Sequence, residues 1–315
     1  MWEISKTIEK FRGSTNGSRY KNQYRGLNFR LHKIVFVVRN RKYFLGFLCV
    51  LLVGCINSAP PNLSIRTERP VVLFWCDYPH ILKNMNYYTT HVWVQQPDSG
   101  NYTGPEWSQD YFLSRSITPL KWVGGRIFAR EKDVEELVKI WCTPAMNGFV
   151  GIGIDEFGML TPRLSAKLGK ALEQAKATCP ELIIATWHSG PLTKKQANYY
   201  VEGADLVMLE AYFSGRSFYR WLLPRNIRVA RNAGIIYKTV VALGINDQDS
   251  RATGRGFWNW ANTPEELERQ MLWIRRLAPD MPGIAFFAPR ASKPMLIKAD
   301  RLAAEIFTTR KTENQ

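Results

Sequence analysis

Length, composition and charge set the first limits on this protein. The chain has 315 residues, of which 45% are apolar, enough for one large domain or two ordinary ones with a real core. The net charge is +16, but residues 1–55 contain eleven Lys/Arg and two Asp/Glu and so carry +9 of it. A nucleic-acid-binding protein would concentrate its basic side chains on the folded domain. Residues 56–315 contain basic and acidic side chains mixed together, so we expect no nucleic-acid partner.

A membrane signal occupies the start of the chain. A basic stretch ending at Lys42 precedes the apolar run 43–54, which is shorter than the ~20 residues that span a bilayer as a helix. This order is typical of a secretory signal. The segment Leu52–Cys55 resembles the bacterial lipobox, and the resemblance implies cleavage before Cys55 and a lipid on its sulfur. The alternative is an uncleaved anchor helix. Both place the rest of the chain outside the cytoplasm, in the cell envelope and attached to the membrane.

The remaining segments predict a tether, one folded domain and a tail. Residues 56–70 are rich in Pro, Ser and Asn and are typical of a tether. We expect the domain to span residues 71–309 and a tail to follow over 310–315. Short continuous apolar runs, typical of strands buried on both faces of a parallel sheet, begin at Val71, His91, Pro119, Phe149, Leu182, Ala204, Lys238 and Gly283.

Helix signals alternate with these strands. Thr161-Pro162 opens one helix, while Thr193 with Gln196 and Thr263 with Glu266 each fit a capping box. Strand followed by helix, repeated to a count of eight, predicts an α/β fold of the (β/α)8 TIM-barrel type. The second unit, residues 95–118, shows little helical period. An open doubly wound sheet is the alternative, since it shares the alternation.

Cysteine and histidine spacing predicts no metal site and no organic cofactor. Cys76, Cys142 and Cys179 form no CxxC pair. One disulfide among them fits an oxidising compartment, but isolated buried thiols are the expected arrangement. Glycines 151 and 153 lie inside a strand and do not open a helix, which argues against a dinucleotide site.

Polar and aromatic residues collect at the C-terminal ends of the predicted strands, where ligands bind in such barrels. The candidates, in chain order, are Trp75, Asp77, Asp155, Glu156, Trp187, His188, Glu210, Tyr212, Asn246, Asp247, Trp258, Trp260 and Arg290. By the two-residue period of a strand, Asp155 shares one face with the two glycines before it and points to the centre of the mouth.

Paired carboxylates at a barrel mouth indicate glycoside hydrolysis. One carboxyl protonates the leaving oxygen and the other attacks or directs water, and burial raises the pKa of the acid. We expect Glu210 and one of Asp155 and Glu156 to form this pair. Trp75, Trp187, Trp258 and Trp260 would stack on sugar rings, and Asp77, His188, Tyr212 and Asn246 would orient the sugar.

Each of these residues also has a structural alternative. Asp155 or Glu156 could cap the following helix or pair with Arg163. Glu210 could pair with Arg290. His188 is more often a buried structural histidine than a catalytic one, and each tryptophan by itself is more often a core residue.

The strand-four segment resembles the glycoside hydrolase family 18 chitinase pattern FDGxDxDxE, matching it at Phe149, Gly151 and Asp155. Val150 and Gly153 replace two of the acids and Phe157 replaces the last, so that family's substrate-assisted mechanism does not carry over. The ending GIGIDEF is closer to glycosidase-like barrels of bacterial lipoproteins and of the family 71 and 99 type. The resemblance implies the barrel over roughly residues 70–305.

The sequence thus predicts an extracytoplasmic glycoside hydrolase-like barrel that acts on an oligo- or polysaccharide. Two rival functions remain open. One is a carbohydrate-binding barrel without turnover, and the other is a structural protein of the cell envelope.

Overall fold

Parallel strands of the described chain close into a barrel. The computed structural model describes residues 69–76, 88–94, 109–146, 149–158, 160–212, 216–248, 260–288 and 291–308. The strands are β1 (Val71–Cys76), β2 (His91–Val94), β3 (Thr118–Val123), β4 (Gly151–Ile154), β5 (Ile183–His188), β6 (Leu206–Glu210), β7 (Thr239–Ile245), β8 (Trp260–Ala261) and β9 (Gly283–Phe287).

The sheet is continuous around the barrel. β1 to β7 pair in chain order, β9 pairs with both β7 and β1, and the two-residue β8 extends the end of β7. Because the sheet closes on itself, the open doubly wound alternative is excluded, and the predicted (β/α)8 barrel is confirmed. All eight predicted strands are present. The barrel lies within one compact unit, Ser64–Gln315.

Helices follow the strands on the outside of the barrel. They are α1 (Gln109–Leu113), α2 (Arg126–Glu131), α3 (Val134–Met146), α4 (Pro162–Thr178), α5 (Lys194–Gly203), α6 (Arg216–Asn232), α7 (Pro264–Leu277) and α8 (Lys293–Phe307). A short 3-10 helix, Ile236–Lys238, precedes β7. No helix in these described segments is long and apolar enough to cross a membrane. The predicted leader, Cys55 and the tail lie outside the described residues, as does all but the end of the tether.

The predicted caps begin three of these helices. Thr161 and Thr193 accept hydrogen bonds from the main-chain N–H groups of Leu164 and Gln196, and the capping box at Thr193 is complete. Thr263 caps α7 in the same way. The Glu266 carboxylate accepts from the N–H of Asn262, one residue earlier than a capping box requires. These local signals placed the helix starts correctly because caps depend on near neighbours in sequence.

Local sequence signals did not define β3 and α6 completely. The apolar run that begins at Pro119 reads PLKWVGGRIF and predicted a strand of that length, but β3 ends at Val123 and α2 begins at Arg126. The alternation predicts a helix after strand six without a specific start signal, and α6 occupies that place although it has Pro224 inside it. Its buried stripe, Leu223, Ile227 and Ala230, still has helical spacing, so packing against the barrel stabilises the helix despite the proline.

A disulfide links the helices on either side of β4. Cys142 of α3 is bonded to Cys179, the C-cap residue of α4, with their Cα atoms 6.1 Å apart. This separation is usual for a disulfide. The expectation of isolated thiols was therefore wrong for these two cysteines, because three-dimensional proximity decides pairing and the sequence spacing does not show it. The Cys76 side chain lies outside the described part.

Candidate functional site

Aromatic rings fill the barrel at the C-terminal ends of its strands. We call Trp75, Trp93, Trp187, Tyr212, Trp260 and Phe287 the aromatic cluster. Trp75 stacks on Trp93 with ring centroids 5.0 Å apart, and Trp187 contacts both, at 5.1 Å in each case. Tyr212 stacks on Phe287 at 4.9 Å. Trp93, Trp187 and Tyr212 are fully buried, whereas Trp75 and Phe287 are only half-buried.

Two glycines make room for these rings. A Cβ atom at Gly153 would lie 2.6 Å from the Trp93 ring, and one at Gly244 would lie 2.6 Å from the Trp260 ring. Neither distance is sterically allowed, so these strand positions must lack a side chain. Gly153 therefore faces the inside of the barrel. The two-residue period of β4 then places Asp155 on the same inner face, as the sequence predicted.

Glu210 is a buried carboxyl beside the aromatic cluster. It ends β6, and only 4% of its surface is exposed. Burial raises its pKa to about 8. The nearby Tyr212 hydroxyl and Trp187 indole act in the opposite direction by favouring the charged form, while the negative charges of Asp155 and Glu156 raise the pKa further. Glu210 is consequently protonated over most of the neutral range.

Several buried polar atoms of Glu210 and of the aromatic cluster lack a partner. Within the described part of the chain, Glu210 Oε2 and the indole nitrogens of Trp93 and Trp187 have no hydrogen-bond partner. The Trp187 indole is thus close enough to Glu210 to affect its pKa but does not reach hydrogen-bond geometry. A buried unpaired polar group costs about 1–3 kcal/mol. Their clustering indicates a place where a polar ligand or water binds.

Asp155 is held at the inner edge of the mouth. Its Oδ2 accepts a hydrogen bond from Trp122 Nε1 at 3.2 Å, and its Oδ1 accepts one from the N–H of Glu156 at 2.8 Å. Trp122 lies on the neighbouring strand β3. Asp155 is half-buried, and its charge raises the pKa of both Glu210 and Tyr212. The structure therefore brings Asp155 and Glu210 into one electrostatic neighbourhood.

Glu156 lies at a turn with an uncommon backbone. Its φ is +50°, in the left-handed region, and its side chain is exposed. The turn sends Phe157 to the outside of the barrel, where it is fully buried against the Tyr200 ring, with centroids 5.1 Å apart. Neither acid caps the next helix, because Thr161 is the N-cap of α4. The position that matches the last acid of the family 18 pattern is therefore a core residue.

His188 does not join the cluster. Trp187 faces inward, and its neighbour His188 faces the outer layer, where Nδ1 lies 2.7 Å from the Tyr200 hydroxyl of α5. Burial lowers the pKa of His188 to about 4, while a hydrogen bond with the Pro191 backbone raises it by a smaller amount. This placement fits the structural alternative for His188 and not sugar binding.

The remaining candidates are dispersed. Asn246 is buried after β7 and its N–H donates to Ala261 O at 3.1 Å. Asp247 accepts hydrogen bonds from the main-chain N–H and the hydroxyl of Ser292, which is the N-cap of α8. Asp247 thus joins the end of β7 to α8. Three other candidates lie outside the described residues: Asp77, Trp258 and Arg290.

Sequence reasoning missed three residues of the site. Trp93, Trp122 and Phe287 were not proposed, although each stands at or near the end of a correctly predicted strand. The available signal was an aromatic residue near the end of each predicted strand, and the structure shows that Trp93 and Phe287 both pair with Trp75 in the sheet. No group of three or more His, Cys, Asp or Glu side chains within the described segments could hold a metal ion.

Comparison with solved structures finds the same barrel fold in several enzymes. A family 18 chitinase from Cycas revoluta in complex with allosamidin superposes with a TM-score of 0.56 at 13% identity, covering 75% of this chain and 99% of that one. An endo-β-N-acetylglucosaminidase from Cordyceps militaris gives 0.52 at 9% identity, covering 76% and 92%. The spore cortex-lytic enzyme of Bacillus cereus gives 0.55 at 11% identity, covering 78% and 76%.

Sequence comparison adds no relative to these. No protein-family model and no curated protein matches the chain. At such low identity the structural likeness shows the fold alone. The distant resemblance to glycoside hydrolase barrels inferred from strand four is thereby confirmed at the level of architecture.

Proposed function

We propose that this chain is a glycoside hydrolase in which Glu210 is the general acid and Asp155 its ionised partner. The observation that carries the proposal is the buried Glu210, whose pKa is raised to about 8 next to an aromatic cluster and a second carboxylate. A carboxyl that stays protonated at neutral pH can donate a proton to the glycosidic oxygen. Asp155 on the neighbouring wall then attacks the anomeric carbon or directs water to it.

Asp155 fits the partner role better than Glu156. The Trp122 indole fixes its carboxylate on the inner face, and its charge acts on Glu210 more strongly than that of Glu156. Glu156 is exposed at the turn. The half-buried rings of Trp75 and Phe287 offer flat apolar faces for sugar stacking.

The test is hydrolysis of an oligosaccharide panel by the purified chain. Oligomers of N-acetylglucosamine come first, because a family 18 chitinase of this fold is known in complex with (GlcNAc)3. We expect Glu210→Gln and Asp155→Asn each to lower kcat/KM by about 10²–10⁴. Glu156→Gln and the exposed control Glu173→Gln should stay within a few-fold of wild type. Full activity of Glu210→Gln would refute the assignment.

A carbohydrate-binding barrel without turnover is the second candidate. The observation that favours it is Phe157, a buried ring at the position that matches the last acid of the family 18 pattern. This candidate predicts saccharide binding by calorimetry, with no product from any sugar of the panel. Under it, Glu210→Gln would weaken binding only moderately.

We further propose that the chain is a lipoprotein of the cell envelope, with the lipid on Cys55. The Cys142–Cys179 disulfide supports an oxidising compartment. Expression with radiolabelled fatty acid tests the proposal: wild type should take up label and enter the membrane fraction, and Cys55→Ser should lose the label. If wild type is unlabelled and both proteins still sediment with membranes, the uncleaved anchor helix is correct instead.

A further inference from the structure

The outer face of α6 combines an exposed aromatic ring with two arginines that make no ion pair with any residue that the structure describes. α6 contains five arginines and no acidic residue over Arg216–Asn232. The side chain of Trp221 is 78% exposed, more than any other large apolar side chain described. Solvating so much indole surface is unfavourable, and a single exposed tryptophan beside like charges suggests a surface that a ligand covers.

Helical geometry places these residues in one row. Trp221, Arg225 and Arg228 are spaced by four and three residues, so they lie on the same side of α6. All three are exposed, whereas Leu223, Ile227 and Ala230 on the opposite side are buried against the barrel. With Asn232 at its end, the row spans about 16 Å at ~1.5 Å per residue. We call these four residues the α6 stripe.

The charges of the stripe are available for a ligand. Arg231, off the stripe, makes a two-point ion pair with Asp280, with N···O distances of 2.7 and 2.8 Å. Arg225 and Arg228 make no ion pair with any residue that the structure describes. An anionic partner could therefore bind both guanidinium groups without displacing an existing carboxylate.

We propose that the α6 stripe binds a linear polysaccharide carrying carboxylate or phosphate groups, with one sugar stacked on Trp221. A row of cations beside one ring matches a linear polyanion with sugar faces. A lipid surface fits less well, because membrane-bound helices insert a broad apolar face, and that face of α6 is already buried against the barrel.

The position of the stripe relates it to the barrel mouth. α6 follows β6, which ends at Glu210, and runs back along the outside of the barrel. Trp221 is therefore at the mouth end of the stripe and Asn232 at the far end. A polymer on this surface extends from the outer wall toward the mouth. The binding itself does not depend on hydrolysis there.

Binding of the full-length chain to polygalacturonate, compared with a neutral glucan, tests the proposal. We expect Trp221→Ala to weaken polygalacturonate binding about ten-fold, as for loss of one stacking platform. The double variant Arg225→Gln/Arg228→Gln should weaken it about five-fold, and added salt should reduce the difference. Neutral glucan binding should change in neither variant.

Matched surface variants are the controls. Leu272→Ala removes another exposed apolar side chain, on α7, and Arg163→Gln/Arg301→Gln removes two exposed arginines, on α4 and α8. Both should bind polygalacturonate as wild type does. The basic leader is present in every protein tested, so any binding that it contributes is the same in all of them. Unchanged binding in the stripe variants would overturn the proposal. The proposal would also be overturned if wild type bound a single-stranded oligonucleotide or phosphatidylglycerol vesicles more tightly than polygalacturonate, and if the stripe variants weakened that binding. Hydrolysis of short neutral oligosaccharides, measured in parallel, separates this result from the role of Glu210.

Discussion

Replacing Glu210 by glutamine should stabilise the protein at alkaline pH. Burial holds the pKa of Glu210 at about 8, against an ordinary value of 4.5. Between these values the unfolded chain has released its proton and the native chain has not, so stability falls as pH rises. At about 1.4 kcal/mol per pH unit, the stability lost at this group between pH 5 and pH 8 is on the order of 3 kcal/mol. Glutamine has a similar shape and does not ionise.

Urea unfolding followed by tryptophan fluorescence measures the effect. We expect the stability of Glu210→Gln relative to wild type to increase by about 3 kcal/mol from pH 5 to pH 8, and to change little above pH 9. Glu173→Gln, at an exposed position of α4, controls for loss of a carboxylate and should show a constant difference. If the wild-type and Glu210→Gln profiles run parallel from pH 5 to pH 8, Glu210 is not held protonated, and the acid role proposed for it loses its physical basis.

Three further predictions concern the packing that supports the site. Reducing the Cys142–Cys179 disulfide, which closes a 37-residue separation, should lower the free energy of unfolding by about 3–4 kcal/mol, measured by urea unfolding with and without dithiothreitol; an unchanged midpoint would contradict the covalent link. Gly153→Ala should cost about 1–3 kcal/mol, because its Cβ would lie 2.6 Å from the Trp93 ring, and near-UV circular dichroism should show the altered tryptophan packing; wild-type stability would mean that the ring is elsewhere. Since burial lowers the pKa of His188 to about 4, stability present above pH 6.5 is lost as pH falls toward 4. His188→Gln should therefore lose less stability than wild type over that range in acid titrations, and an equal loss would argue against a buried neutral imidazole.

Local sequence was sufficient where near neighbours decide the structure. Thr193 and Gln196 cap α5 because both partners lie within one turn. The apolar run from Phe149 predicted β4, although the strand is shorter, Gly151–Ile154, and its two-residue period placed Asp155 on the inner face. α6 had no start signal of this kind in the sequence, and packing against the barrel stabilises it although Pro224 lies inside it.

The sequence by itself determined that this chain alternates buried strands with helices and that acids stand at the ends of strands four and six. Only the tertiary structure decided what those acids can do. The raised pKa of Glu210 arises first from its burial in the folded barrel and then from the charges of Asp155 and Glu156, and together these outweigh the opposing effect of Tyr212 and Trp187. Desolvation and charge interaction depend on distance in space, which the order of residues along a chain does not give.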